Sequence, residues 1–182
     1  MSWTIHGHAI VSGDDRIADA DGVTPAALRN DADWARFQAA LDAAAVTALG
    51  RLGHEANPNV RGRNRMVLSS RVKGVERRSG AWWWNPAGLS LAEALRQAAP
   101  DGGIVAVPGG RRVFDYFLDA GFDAFHLVRN RGVTIPGGVP VFSAVTASRT
   151  AENVLTTAGL APGPVEVLDA AAGVTLTVWR RS

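Results

Sequence analysis

Ile104-Val105-Ala106-Val107-Pro108-Gly109-Gly110-Arg111-Arg112-Val113-Phe114-Asp115-Tyr116-Phe117-Leu118 is the stretch that decides the fold. It opens with a short apolar, β-branched run, bounded upstream by Asp101-Gly102-Gly103, which reads as a buried strand. Gly109 and Gly110 follow, and then Val113, Phe114, Phe117 and Leu118 recur at helical spacing. Strand, tight turn and helix succeed one another without a spacer. Glycine accepts positive φ and lets the backbone approach a ligand closely. The helix start behind it aims free N–H groups and a partial positive charge at the turn. That combination suits a phosphate or pyrophosphate. It equally describes a tight connection that binds nothing, because a glycine pair alone is a weak motif.

Upstream of this unit, Ala81 to Trp84 reads as a strand and Asn85 to Gly88 as a loop. Ser90 caps a helix through Leu91, Ala94, Leu95 and Ala98, with Glu93 completing a capping box. Trp82, Trp83 and Trp84 read as sheet packing, with a dimer surface as the alternative. At the start of the chain, Trp3 to Ser12 is a strand and Gly13 to Arg16 a turn, followed by a polar loop to Gly22. His6 and His8 share one face of that strand. No third ligand at a helpful spacing accompanies them, which makes them polar strand positions rather than a metal site.

Asn30 or Asp31 caps the next helix, whose apolar positions are Trp34, Phe37, Leu41 and Ala45. Asp33 lies at the edge of that apolar face, on the side of Phe37; favourable interaction with the helix dipole alone would account for it. Val46 to Leu49 is a strand, Leu52 to Asn59 holds a short helix, and Arg65 to Ser70 is another strand. Arg71, Lys73, Arg77 and Arg78 then form a basic loop, which either holds a phosphate monoester or is simply solvated. Downstream of the central unit, Phe122 to Val128 and Val139 to Val145 read as strands. Val165 to Leu168 and Val174 to Trp179 flank a hairpin signal at Asp169 to Gly173. Strand–helix alternation followed by a strand-only end predicts an α/β fold. Its central sheet is mostly parallel but mixed, flanked by helices, with a C-terminal antiparallel hairpin.

The 182 residues suit one domain, 1–182, with a sizeable core. Hydrophobic residues make up 47% and charged residues 20%, which is ordinary globular usage. Net charge is +2 at a pI of about 9.9, with no clustering of basic and aromatic residues that would argue for nucleic acid. The absence of cysteine excludes disulfides and thiolate metal sites. No apolar run is long enough to span a bilayer and the start lacks a signal-peptide pattern, so a cytoplasmic location is expected.

From about Ile5 to Phe142 the chain resembles the dihydrofolate reductase family, including the related reductase domain of riboflavin biosynthesis. The blocks that carry the resemblance, in family order, are Ser12 to Ala18, Asp31 to Phe37, Gly50-Arg51, Gly62 to Arg71 and Val107 to Phe114. The resemblance implies a dihydrofolate reductase-like fold and an NADPH-dependent reductase acting on a small molecule, as a monomer or homodimer. It implies a cofactor cradle at Gly109, Gly110, Arg111, Arg112 and Val113, faced by Gly50, Arg51, Leu52 and Gly53. Leu68, Ser69, Ser70 and Arg71, with Arg51, would surround the adenosine 2′-phosphate. Asp33 matches the family's catalytic carboxylate, Phe37 would pack on the substrate ring, and Ala9 and Ile10 would line the substrate side. Arg63 matches the arginine that pairs with the glutamate tail of folate.

The chain departs from the family pattern at several positions. Leu52-Gly53-His54 replaces the threonine after Gly-Arg, Phe114 stands for a tyrosine, Val128 for a threonine, and Thr24-Pro25-Ala26 for the loop tryptophan. Three functions fit: reduction of a pterin or related C=N heterocycle, reduction of a riboflavin-pathway pyrimidine, or nucleotide or pterin binding without catalysis. Protection against unfolding by NADPH, NADH and dihydrofolate separates them.

Overall fold

The structure, a computed structural model, describes residues 2–182. Its frame is a nine-stranded mixed sheet, and β1 (Trp3–Ser12) lies inside it. On one side β1 runs parallel to β7 (Gly103–Val107), which is followed by β3 (Val46–Gly50), β4 (Arg65–Leu68), β6 (Ala81–Trp84) and β5 (Val75–Arg78). On the other side β1 runs parallel to β8 (Ala124–Asn130), which is followed by the antiparallel pair β11 (Val174–Arg181) and β10 (Leu160–Asp169). Parallel strands need crossovers, and the helices supply them. They are α1 (Asp31–Ala43), α2 (Arg51–Ala56), α3 (Leu91–Ala98) and α4 (Arg111–Ala120).

The main core lies on the β1 face that carries Ile5, Ala9 and Val11. Val105 and Val107 share that face, because Ile5 pairs with Val105 and Gly7 with Val107. Phe114 and Phe117 of α4 pack there against Phe122, Phe125 and Phe142, with ring centroids 5.1 to 6.2 Å apart. Gly7 makes room for this cluster: a Cβ there would sit 2.3 Å from the Phe125 ring. Trp84 is fully buried and Trp83 nearly so, so these tryptophans are packing residues.

The mixed sheet and the terminal hairpin are as expected; several local readings need correction. Val139 to Val145 is not a strand. Only β9 (Val139–Pro140) pairs, in a separate ribbon with the short β2 (Arg16–Ala18), which lies where turn and loop are expected. Beyond it, Ser143 hydrogen-bonds to the Asp115 carboxylate while Val141, Phe142 and Val145 are buried, so core packing without a ladder explains the apolar run. The end of the chain is not strand-only either. α5 (Ala151–Thr157) precedes β10, capped by a reciprocal Thr150–Asn153 box. β5 replaces the expected basic loop. Arg77 and Arg78 lie over Trp82 and Trp83 of β6, 5.1 and 5.6 Å from the rings, and such cation–π contact favours an edge strand there. Trp34 is 53% exposed instead of sitting on the buried face of α1, and Asp33 beside it is buried.

A buried charge cluster fixes the start of the fold to its end. The Arg129 guanidinium of β8 donates to Asp15 and Glu152, both at 2.6 Å, and to the Ser12 carbonyl at 3.0 Å. Asp15 also accepts from the first amide of α5 at 3.1 Å. Burial would raise the Glu152 carboxyl, but hydrogen bonding and the Arg129 charge prevail and hold it below the usual range.

Candidate functional site

Adjacent parallel strands place their carboxyl ends on one edge of a sheet, the usual position for ligand clefts in such folds. Here β7, β3 and β4 are neighbours in that order. Their carboxyl ends carry Gly109-Gly110, Gly50-Arg51-Leu52-Gly53 and Leu68-Ser69-Ser70-Arg71. The structure therefore gathers the expected cofactor residues onto one edge, with Gly50 and Leu68 directly paired in register.

The glycines of the turn do different things. Gly109 has φ +103°, and a Cβ on it would lie 2.7 Å from the Phe114 ring. Gly110 has an ordinary φ of −76°, and nothing lies within 4 Å of where its Cβ would be. Gly110 is the N-cap of α4 and its carbonyl accepts from Val113 and Phe114 at 3.0 and 2.9 Å. The need for a left-handed conformation thus falls on Gly109 alone, and the open space falls in front of Gly110. Gly50 caps α2, and its Cα faces Val113 across a gap in which a Cβ would sit 3.3 Å from that side chain.

The basic groups near this edge differ in freedom. Arg51 is already held by Glu55 at 2.8 Å, one helical turn on. Arg71 is exposed and takes part in no ion pair among the described residues; its amide donates to Ser69 Oγ at 3.2 Å. A depression of about 340 Å³ opens beside it, lined by Arg71, Val72, Lys73, Gly74, Val75 and Glu76. Leu52 projects outward and is 70% exposed.

The other face of β1 carries His6, His8 and Ile10, and α1 covers it. Asn30 is the cap of α1: its Oδ1 accepts from the Ala32 and Asp33 amides at 3.1 and 3.2 Å. Its Nδ2 donates to Asp169 at 2.9 Å and so ties the helix start to the terminal hairpin. This cap turns Asp33 inward. Burial raises its carboxyl above the usual range, and a 3.0 Å hydrogen bond from Arg36, with its charge, opposes that only in part. Phe37 lies one turn on, its ring centroid 6.0 Å from those of His8 and Trp34.

Of the other residues expected on the substrate side, Ile10 packs against a small cluster of Val128, Val174 and Leu176. Ala9 points to the opposite face, into the main core. Arg63 is held by Asp42 at 2.7 Å and by the Gln38 side chain at 2.8 Å. Sequence reasoning missed Arg36, although its position three residues after Asp33 is a helical pairing distance. It also missed His126, which meets His8 only through the β1–β8 register. Among the described residues no group of three His, Cys, Asp or Glu side chains is placed to hold a metal ion.

No protein-family model matches this sequence, and no curated protein matches it. Solved structures do. A protein described as a riboflavin biosynthesis protein from Shewanella sp. PV-4 is 18% identical, with a TM-score of 0.66, over 98% of this chain and 99% of that one. Dihydrofolate reductase from Enterococcus faecalis, complexed with NADP(H) and RAB-propyl, is 19% identical, with a TM-score of 0.63, over 98% and 96%. The Thermotoga maritima diaminohydroxyphosphoribosylaminopyrimidine deaminase/5-amino-6-(5-phosphoribosylamino)uracil reductase is 16% identical, with a TM-score of 0.67; the match spans all of this chain and 57% of that protein. The fold is the dihydrofolate reductase-like fold.

Proposed function

We propose that this chain is an NADPH-dependent reductase of a small heterocycle, with the cofactor along the β7–β3–β4 edge and the substrate beneath α1. The observation that carries this reading is the Gly109-Gly110 turn, open in front of Gly110 and backed by the first turn of α4. The residues present fit a dinucleotide. The amides opening α4 suit its pyrophosphate, and the unpaired Arg71 suits a 2′-phosphate. When bound, NADPH supplies a hydride. The chain's own part is positional and protonic. Phe37 and the exposed Trp34 offer aromatic faces to a flat ring. Asp33, with its carboxyl raised by burial, holds a ring N–H and favours the protonated C=N that accepts hydride.

One observation shifts the substrate away from folate. Arg63, the expected partner of a glutamate tail, is held by Asp42 and Gln38. A tail carboxylate would have to displace Asp42. A heterocycle without that tail, of the pyrimidine kind named for the Thermotoga maritima protein, meets no such competition. The cofactor half is tested by thermal unfolding with NADPH and NADH. NADPH is expected to protect more strongly. Arg71→Ala is expected to reduce the preference by about 1.5–3 kcal/mol, the size of a hydrogen bond to a charged group. Equal protection by the two nucleotides in the unmutated protein overturns the assignment.

A further inference from the structure

α2 has little of its own to hold it in place. It has six residues, none of them buried, and its N-cap Gly50 offers no side-chain bond. Leu52, its one large apolar side chain, is 70% exposed. A helix this short is marginal unless the rest of the fold secures it. Yet α2 carries Arg51, Leu52 and Gly53, the middle segment of the β7–β3–β4 edge.

A single guanidinium from β4 secures it. Arg65 is buried, with 8% of its surface exposed. Its Nη1 donates to the carbonyl of Asn57, the C-cap of α2, at 2.7 Å, and meets His54 Nδ1 of the helix at 3.2 Å. The His54 ring in turn stands edge-on to Trp83 of β6, with centroids 5.7 Å apart. Among the described residues Arg65 enters no ion pair, so its charge is spent on α2. A guanidinium only donates. His54 Nδ1 is therefore the acceptor, which makes the ring neutral and puts its hydrogen on Nε2.

Protonation reverses that contact. An imidazolium donates from both nitrogens and accepts at neither. Arg65 would then face a donor and a like charge. The charged groups facing His54 are Arg65 from β4 and Glu55 from α2 itself. Trp83 brings no charge, and Arg78 over the Trp83 ring is paired with Glu76. Burial first, then the Arg65 charge, holds the His54 ring below its ordinary value of 6.5, with Glu55 opposing. Below pH 6.5 the docked helix thus binds fewer protons than a released one, and acid favours release.

We propose that Arg65 is a positioning residue for the cofactor edge, gripping α2 through Asn57 and His54, and that protonation of His54 opens the grip. The proposal rests on the reductase reading for the nucleotide and on the geometry alone for the grip. Nucleotide affinity then falls in acid through the protein, beyond what titration of the nucleotide's own 2′-phosphate causes.

The test reads the grip and the nucleotide separately, on the whole protein. Nitrogen NMR of the His54 ring is expected to place its hydrogen on Nε2 at pH 7.5; a hydrogen on Nδ1 overturns the grip. Amide exchange in α2, corrected for the intrinsic rate, is expected to quicken as the pH falls from about 7.5 to about 5, and to be at least about tenfold faster in Arg65→Gln at the upper pH. His54→Gln, whose amide oxygen can accept from Arg65 and does not titrate, is expected to keep α2 protected throughout. If exchange in the unmutated protein ignores pH, or if His54→Gln follows the same course, the grip does not exist. Those two proteins decide even where Arg65→Gln fails to fold. NADP+, which survives acid where NADPH does not, is titrated over the same range. The unmutated protein is expected to lose about tenfold more affinity than His54→Gln, one unit of depression of the ring being a factor of ten. Equal losses overturn the positioning role. Release of α2 in acid with no NADP+ binding at any pH overturns the reductase reading and leaves the grip.

Discussion

The two candidate regions are built from different materials. At the ends of β7, β3 and β4 the wall is mostly backbone: Gly109-Gly110, Gly50 and the first turn of α4. Beneath α1 the wall is side chains: Asp33, Arg36, His8, His126 and Phe37, drawn from one helix and two strands. A backbone wall needs glycine at particular places and little else. A side-chain wall changes chemistry with every substitution. On the second side His8 and His126 meet through the β1–β8 register, and a change at either strand would alter what the wall presents.

The sharpest way to break this contrast is Asp33→Asn. If the side-chain wall performs the chemistry, the variant keeps its fold and its NADPH affinity. Hydride transfer to an accepted heterocycle falls by about 10²–10⁴-fold, the usual share of acid–base assistance. The deficit narrows at low pH, where solvent supplies the proton. A normal rate would leave Asp33 as nothing more than a carboxylate in the first turn of a helix.

A second pair of variants sharpens the contrast within the backbone wall itself. Gly110→Val faces open space at an ordinary φ, so it is expected to fold. It should lose at least about 10²-fold in NADPH affinity, or about 2.7 kcal/mol, because the side chain fills the cradle. Gly109→Ala meets both positive φ and the Phe114 ring. It should lower the unfolding midpoint by the equivalent of about 1–3 kcal/mol. Adjacent glycines then fail differently, one in binding and one in folding. Normal NADPH binding by Gly110→Val makes the turn a connector only.

A last contrast lies in acid stability, where His8→Gln changes only a slope. The unfolded imidazoles titrate near 6.5, whereas the folded His8 and His126 are depressed to about 3 and about 4. Below pH 6.5 the unfolded chain therefore binds more protons than the folded one. Stability from these rings is complete above that pH and is lost as pH falls towards 4. The slope approaches about 1.4 kcal/mol per unit for each ring. Urea unfolding between pH 7 and 4.5 measures it, and His8→Gln should flatten the curve. An unchanged slope in that variant would mean that the ring is not sealed.

Much of the frame could be read in the sequence because its signals are local. Trp3–Ser12 and Ala81–Trp84 appear as strands with the expected bounds, and the Ser90–Glu93 box starts α3. α5 escaped because its cap pairs threonine with asparagine, outside the usual acidic pattern. Val139 to Val145 misled because periodicity cannot distinguish a buried strand from a buried turn anchored by Phe142. The segments gathered at the ends of β7, β3 and β4 could be read for the same local reason: each sits at the end of its own strand. The cluster beneath α1 could not. That His8 would meet His126 depends on a strand pairing across more than a hundred residues of sequence, and no spacing rule reports it.

That same pairing sets a timetable for the newly made chain. β1 lies inside the sheet, yet its partners are β7 and β8: Trp3 pairs with Gly103 and His6 with Ala124. β1 waits for about a hundred further residues to be made before it has a neighbour in the sheet. The Arg129 cluster that ties Asp15 to Glu152 closes later still. Such long-range closure folds slowly, because loop entropy is lost before any contact compensates for it. Until then Trp3, Ile5, Ile10 and Val11 remain an exposed apolar strand, the form of chain that aggregates or engages chaperones.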